Sequence, residues 1–174
     1  VVVNKIKSIE EAVSYIKDGM TVAVGGFIGA GTPEKLVDAV IAKGIKNLTL
    51  VCNDTGTPEK GVGKWVVNKM IKKAIVSHVG TNPETGRQMN AGEMEVELVP
   101  QGTLAERIRA AGAGLGGVLT RTGLGTIVEE GKQKIAIEGK EYLLELPLKV
   151  DVALVRGSIV DKRGNVYYSK ATRN

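Results

Sequence analysis

Apolar positions along the first hundred residues switch between helical and strand spacing. Ser8-Ile9-Glu10-Glu11 has the form of a capping box, in which the Ser8 hydroxyl and the Glu11 carboxylate satisfy each other's free backbone N–H groups. Ile9, Ala12, Val13 and Ile16 follow at i, i+3, i+4 and i+7, one face of a helix that Asp18-Gly19 breaks. Met20–Val24 is a short apolar run with β-branched character, predicted to be a buried strand. Gly25–Gly31 reads as a loop. A second helix is expected from there to Lys43, with Thr32 as its cap, Pro33 at its first position and Glu34 facing the positive end of the dipole. Gly44 stops it.

The alternation continues. Strands are predicted at Leu48–Cys52, Ala74–Val79 and Val96–Val99. Helices are predicted at Gly63–Met70, after the Asn82-Pro83-Glu84 turn, and at Thr103–Ala111. Strands alternating with helices imply an α/β fold: an open, mainly parallel sheet with helices on both faces. The character changes beyond Ala111. Six of the fifteen positions in Gly112–Thr126 are glycine, too many for a stable helix. Lys134–Ile137 and Glu141–Glu145 flank Glu138-Gly139-Lys140 as a hairpin. Val152–Val160 reads as one buried strand, and Arg163-Gly164-Asn165 as a turn into Val166–Tyr168. No long repeat or low-complexity linker interrupts the 174 residues, which are expected to form one domain.

Composition refines the picture without redirecting it. Apolar residues make up 43% and charged residues 25%, as in a soluble globular protein. With only 3% aromatics, the core must rest on Val, Ile, Leu and Ala. The net charge of +5 suits an anionic ligand, but solvated lysine faces produce the same balance. No dense Lys/Arg block interleaved with aromatics points to nucleic acid. One cysteine, Cys52, excludes an internal disulfide and any multi-cysteine metal site, and no metal is expected. Neither a signal peptide nor a membrane-spanning apolar run is evident, and a cytoplasmic location is expected. The chain opens on Val1-Val2-Val3 without Met, so its natural terminus is expected to lie elsewhere.

The strongest local signal is the strand, glycine loop and helix of residues 20–43. Glycines let backbone N–H groups approach a ligand closely, and the helix start adds partial positive charge. A phosphate, a carboxylate or a developing oxyanion would suit it. The spacing Gly26-x-x-Gly29-x-Gly31 is neither a dinucleotide fingerprint nor a phosphate loop with its lysine. On these grounds alone a tight turn and a ligand loop both remain open.

The residues from Asp18 to Pro33, DGMTVAVGGFIGAGTP, resemble the signature of family I coenzyme A transferases: an Asp-Gly start, an apolar strand, then GGF-x-x-x-G-x-P. Asn53-Asp54-Thr55, Gly80–Gly86, Gly92–Leu98 and Pro100–Arg109 resemble further family segments in order. Leu115–Thr126 is most similar to the A subunits of the acetate or butyrate–acetoacetate type. The resemblance implies a ping-pong transfer in which a glutamate carboxylate attacks an acyl-CoA, passes through an anhydride and becomes a glutamyl-CoA thioester. It places that glutamate in a Ser-Glu-Asn-Gly-like stretch of a B subunit, and this chain has no such stretch. The implied partners are therefore that subunit, acyl-CoA and short carboxylic acids, with coenzyme A as substrate and no permanently bound cofactor.

By the same resemblance, Gly25, Gly26, Phe27, Ile28, Gly29, Ala30 and Gly31 bind coenzyme A. Asn53 matches an asparagine whose amide helps form an oxyanion hole, and Gln101 matches an active-site glutamine. On chemistry alone, Asn53 also reads as a turn residue ending a strand, and Gln101 as a helix-entry residue. Other chemistry-bearing residues have plainer readings. His78 suits a strand-end histidine, and Cys52 suits the core. Glu93, Glu95 and Glu97 suit one face of a strand, and Arg107 and Arg109 point apart on a helix. Two other classes stay open: a sugar-phosphate isomerase-like enzyme active by itself, and a non-catalytic coenzyme A-binding module. Family A subunits usually continue past Ala171–Asn174, so a C-terminal family segment is expected to be missing.

Overall fold

The computed structural model describes residues 4–173; the opening valines and Asn174 lie outside the described residues. The chain divides into two compact units, residues 1–97 with 150–174, and residues 98–149. The first holds α1 (Ile9–Ser14), β1 (Thr21–Val24), α2 (Glu34–Ala42), β2 (Leu48–Val51), α3 (Gly63–Val67), β3 (Ile71–Val76) and α4 (Pro83–Asn90). β4 (Glu95–Leu98) lies at the boundary. Its five-stranded sheet runs β4-β3-β2-β1-β8, where β8 is Val152–Leu154. The β1–β2, β2–β3 and β1–β8 pairings are parallel, as strands joined through helices require.

The apolar faces of α1, α2, α3, β1, β2 and β3 meet in one core, which Leu154 of β8 joins. Ile16, Val22, Val37, Val40, Leu48, Leu50, Trp65 and Ala74 are fully enclosed. Each branched aliphatic side chain so buried contributes about 1.5–3 kcal/mol. Trp65 also needs a partner for its indole N–H, and donates to the Val37 carbonyl at 3.0 Å. The Ser8 half of the expected capping box is present, with the Ser8 hydroxyl accepting from the Glu11 N–H at 3.1 Å. The Glu11 carboxylate pairs with Lys7. At α4, Asn82 caps and Pro83 takes the first position.

Several boundaries differ from the sequence reading. Thr32 does not cap α2: Pro33 stands at the cap without a side-chain bond, and the buried Thr32 hydroxyl faces Gly26. α3 stops at Val67, because Lys69 turns into the left-handed region at φ 51°. β3 starts at Ile71, three residues early. Its start was masked by Lys72 and Lys73, and the Lys73 ammonium reaches Glu95 and Glu97 at 2.7 and 3.2 Å. The Val152–Val160 run is not one strand. It breaks after Leu154, resumes as β9 (Ile159–Val160), and pairs antiparallel with β10 (Val166–Tyr167).

The second unit contains α5 (Gln101–Ala113) and an antiparallel sheet of order β5-β7-β6. These strands are β5 (Val118–Thr120), β6 (Lys134–Ile137) and β7 (Lys140–Glu145). α5 runs through Gly112 and ends on Gly114, left-handed at φ 71°, so the glycine-rich stretch begins inside the helix. The expected hairpin is present, turning at Glu138-Gly139 with φ of 49° and 72°. Glu145 is almost fully buried and is neutralised by the Lys132 ammonium at 2.6 Å. Among the described residues no helix is long and apolar enough to cross a membrane.

Candidate functional site

β8, β1, β2 and β3 are adjacent and parallel, so the segments leaving their carboxyl ends emerge on one edge of the sheet. These segments are Val155–Gly157, Gly25–Gly31, Cys52–Asp54 and Ser77–His78. Crevices beyond strand carboxyl ends are where open α/β sheets bind ligands. Here the segments are tied to one another. The Gly25 N–H donates to the Leu154 carbonyl at 2.9 Å. Asn53 Nδ2 donates to the Gly26 carbonyl at 2.8 Å, and the Ser77 hydroxyl and N–H both donate to the Asn53 carbonyl, at 2.8 and 3.0 Å.

The loop is a tight turn. Phe27 and Ala30 exchange two backbone bonds of 2.9 Å, with Ile28 at φ 49° and Gly29 at φ 78° between them. Two consecutive positive φ values mark a type I′ turn, for which Asn-Gly is the favoured pair. Ile28 is costly there, by about 1–2 kcal/mol. Gly26 is required for a different reason. Its φ is +124°, and a Cβ at this position would lie 2.1 Å from the Thr32 hydroxyl oxygen.

Asp54 completes the arrangement. Its side chain is buried, and Oδ2 accepts the Ile28 N–H at 2.9 Å while Oδ1 accepts the Gly56 N–H at 2.6 Å. One carboxylate thereby links the Gly25–Gly31 turn to a second turn, Thr57–Lys60, which also carries a backbone bond across its ends. The two turns touch where a Cβ on Gly29 would meet Lys60 Cβ at 3.3 Å. The Glu34 carboxylate adds a tie to the Gly61 N–H at 2.9 Å.

Beside the loop lies a cleft of about 490 Å³, lined among others by Gly25, Gly26, Gly31, Arg156 and Tyr167. That volume suits a small-molecule ligand. The exposed Arg156 places a cation at its wall, and the Gly25 and Gly26 backbone forms part of its floor. Asn53 and the seven loop residues are thus brought together. Gln101 is the exposed first residue of α5, in the second unit.

Sequence reasoning assigned roles to the loop and Asn53 and passed over Asp54, Arg156 and Tyr167. Asp54 carried a signal, a carboxylate directly after a buried strand beside Asn53. Nothing in the local sequence marks Arg156 or Tyr167, because their position depends on the break after β8. Cys52 lies in the core as expected, and burial pushes its thiol well above the ordinary range, with the nearby Asp54 adding to the rise. That leaves it protonated and inert. His78 is exposed at the strand end, bridged to Asp54 through the backbone. Glu93, Glu95 and Glu97 form surface ion pairs with Arg87, Lys69 and Lys73. Arg109 pairs with Glu106, whereas Arg107 donates to the Leu146 carbonyl, so the two arginines do not converge.

The comparisons with known proteins agree with this architecture. A family model described as Coenzyme A transferase matches residues 6–174. The acetoacetyl-CoA:acetate/butyrate CoA transferase alpha subunit of Clostridium acetobutylicum is 57% identical over 171 residues, covering 98% of this chain and 78% of that protein. The acetate CoA-transferase subunit alpha of Escherichia coli K12 is 53% identical over 170 residues, covering 98% and 77%. Among solved structures, an acyl-CoA transferase from Escherichia coli O157:H7, in a thioester complex with CoA, superposes with a TM-score of 0.82 at 24% identity. The match covers 95% of this chain and 36% of that one, and concerns the fold alone. With a family model and close relatives spanning nearly its whole length, the chain belongs to the coenzyme A transferase family.

Proposed function

We propose that the chain is the A subunit of a transferase that moves CoA between a short-chain acyl-CoA, such as acetoacetyl-CoA, and acetate or butyrate. The observation that carries this is the 57% identity, across 98% of the chain, with a subunit named for those substrates. The nucleophile is a glutamate of a B subunit. Its carboxylate oxygen attacks the thioester carbonyl, and the C–S bond breaks to release CoA thiolate and leave an acyl–glutamyl anhydride. The thiolate then attacks the glutamyl carbonyl, releasing the first carboxylate and forming a glutamyl-CoA thioester. A second carboxylate reverses both steps and departs as the new acyl-CoA.

This chain supplies the binding and electrostatic part of that cycle. The Gly25–Gly31 turn and its neighbouring cleft receive CoA, with no other cofactor. Asn53 faces the carbonyl oxygen as negative charge develops on it, and the bond from its amide to the Gly26 carbonyl joins the oxyanion donor to the CoA loop. Gln101 serves the acyl or pantetheine region.

A transfer assay with this chain, the B subunit and their mixture tests the proposal, using acetoacetyl-CoA with acetate. Turnover is expected only in the mixture. Full turnover by this chain alone would sink the divided site and favour an enzyme complete in itself; CoA binding without turnover in the mixture would favour a binding module.

A further inference from the structure

Ile28 occupies a place that neither the turn nor the core prefers. Among the described residues, five non-glycine positions have positive φ: Ile28, Asn47, Lys69, Glu138 and Lys170. Only Ile28 is β-branched, the side-chain type least tolerant of that region. The other two-residue turn of the same shape, Glu138-Gly139, places a polar residue at the equivalent position. Ile28 gains little from burial in return, since its side chain is 41% exposed and Phe27 beside it is 48% exposed. A strained, solvent-facing isoleucine points to a use for the side chain outside the fold.

The same turn is clamped from below. Asp54 takes the Ile28 N–H itself, and its other oxygen takes the Gly56 N–H, so the carboxylate holds the conformation that the Ile28 side chain resists. The turn is also two residues from Gly26, whose carbonyl is bound by Asn53. The apolar tip therefore belongs to the same loop as the carbonyl that Asn53 holds.

We propose that the Ile28 side chain contacts the acyl chain of the substrate and sets chain-length preference, with Asp54 as the residue that positions it. The proposal rests on the functional reading above and goes beyond it by assigning selectivity to one side chain and its placement to one buried carboxylate.

The test uses the enzyme assembled from this chain and its B subunit, with acetoacetyl-CoA as donor and acetate or butyrate as acceptor. Ile28→Gly suits the backbone and removes the side chain. Its melting temperature is expected to hold or rise while the butyrate-to-acetate ratio of kcat/KM falls about tenfold. Asp54→Asn is expected to lower the same ratio in the parent and to change it much less in the Ile28→Gly background. That non-additivity distinguishes positioning from general damage to the fold. An unchanged ratio in Ile28→Gly overturns the proposal. So does an unchanged ratio with weakened subunit association in sedimentation, which would make the tip a partner contact. A parent enzyme that transfers CoA to neither acid overturns the functional reading as well, whereas transfer to both with an unchanged variant ratio overturns this proposal alone.

Discussion

Residues 25–31 hold four glycines in seven positions and residues 112–126 hold six in fifteen, yet the two stretches are held in different ways. The first is fixed by groups far away in sequence: the Leu154 carbonyl on Gly25, the Asn53 amide on Gly26 and the Asp54 carboxylate on Ile28. The second is fixed largely from within. The Glu129 carboxylate accepts the Gly125 N–H at 2.7 Å, and the Thr126 hydroxyl donates to the Gly123 carbonyl at 2.7 Å. Space differs as well. A Cβ on Gly26 would collide with Thr32, while Gly112, Gly114, Gly116 and Gly125 all face open space. Gly117 and Gly123 are tight, but against the unit's own Glu145 carbonyl and Val128. Glycine content therefore does not distinguish a loop held from across the fold from a local turn; the distant polar groups that converge on its backbone do.

The comparison is most exposed to failure at the first loop. Asn53→Ala is expected to lower turnover of the assembled enzyme by about 10²–10³, as loss of one oxyanion donor does. Gly26→Ala should follow at about 10²-fold, because a shifted loop misplaces the reacting groups, and it should also lower the thermal midpoint. Steady-state kinetics beside thermal unfolding checks both. Normal turnover in either variant would put the first loop on a par with the second.

A smaller effect is expected at Glu129. Its carboxyl is held below the usual carboxylate range, first by the Gly125 N–H and then by Lys134. A depressed folded value stabilises above the unfolded value of about 4.3 and ceases to do so as pH falls through the lower, folded one. Glu129→Gln should thus flatten the acid limb of the thermal midpoint below about pH 4.3 while leaving the neutral-pH ratio of substrates alone. Melting curves across that range decide it, and an unaltered acid limb would mean that Gly125 is held by something else.

The smallest effect is expected at Gly112. It lies inside α5 with open space at its missing Cβ, so Gly112→Ala should stabilise by up to about 0.5–1 kcal/mol without changing turnover. Denaturant titration measures this. A loss of stability would show that the second stretch also depends on its glycines.

Much of the fold was legible because it is encoded locally. The Ser8 and Asn82 caps, the alternating apolar runs of the first unit and the Glu138-Gly139 hairpin each follow from residues within a few positions of one another. Errors arose where a distant partner changes the balance. Lys72 and Lys73 look unsuited to a strand until Glu95 and Glu97 are beside Lys73. Thr32 looks like a cap until Gly26 is packed against it. The chain from Val152 to Val160 looks continuous, but only its first three residues find a place beside β1.

The sequence by itself determined the order of strands and helices as far as α5, the family through GGFIGAGTP, and the identity of the loop and Asn53 as candidates. Periodicity, caps and motif spacing act over short distances along the chain and can be read there. Tertiary structure alone decided that Asp54 clamps the turn, that Ile28 is both strained and exposed, and that Arg156 and Tyr167 border the cleft. Each of these depends on parallel strands placing their carboxyl ends side by side, a pairing made by backbone hydrogen bonds between segments as far apart as Val22 and Val152.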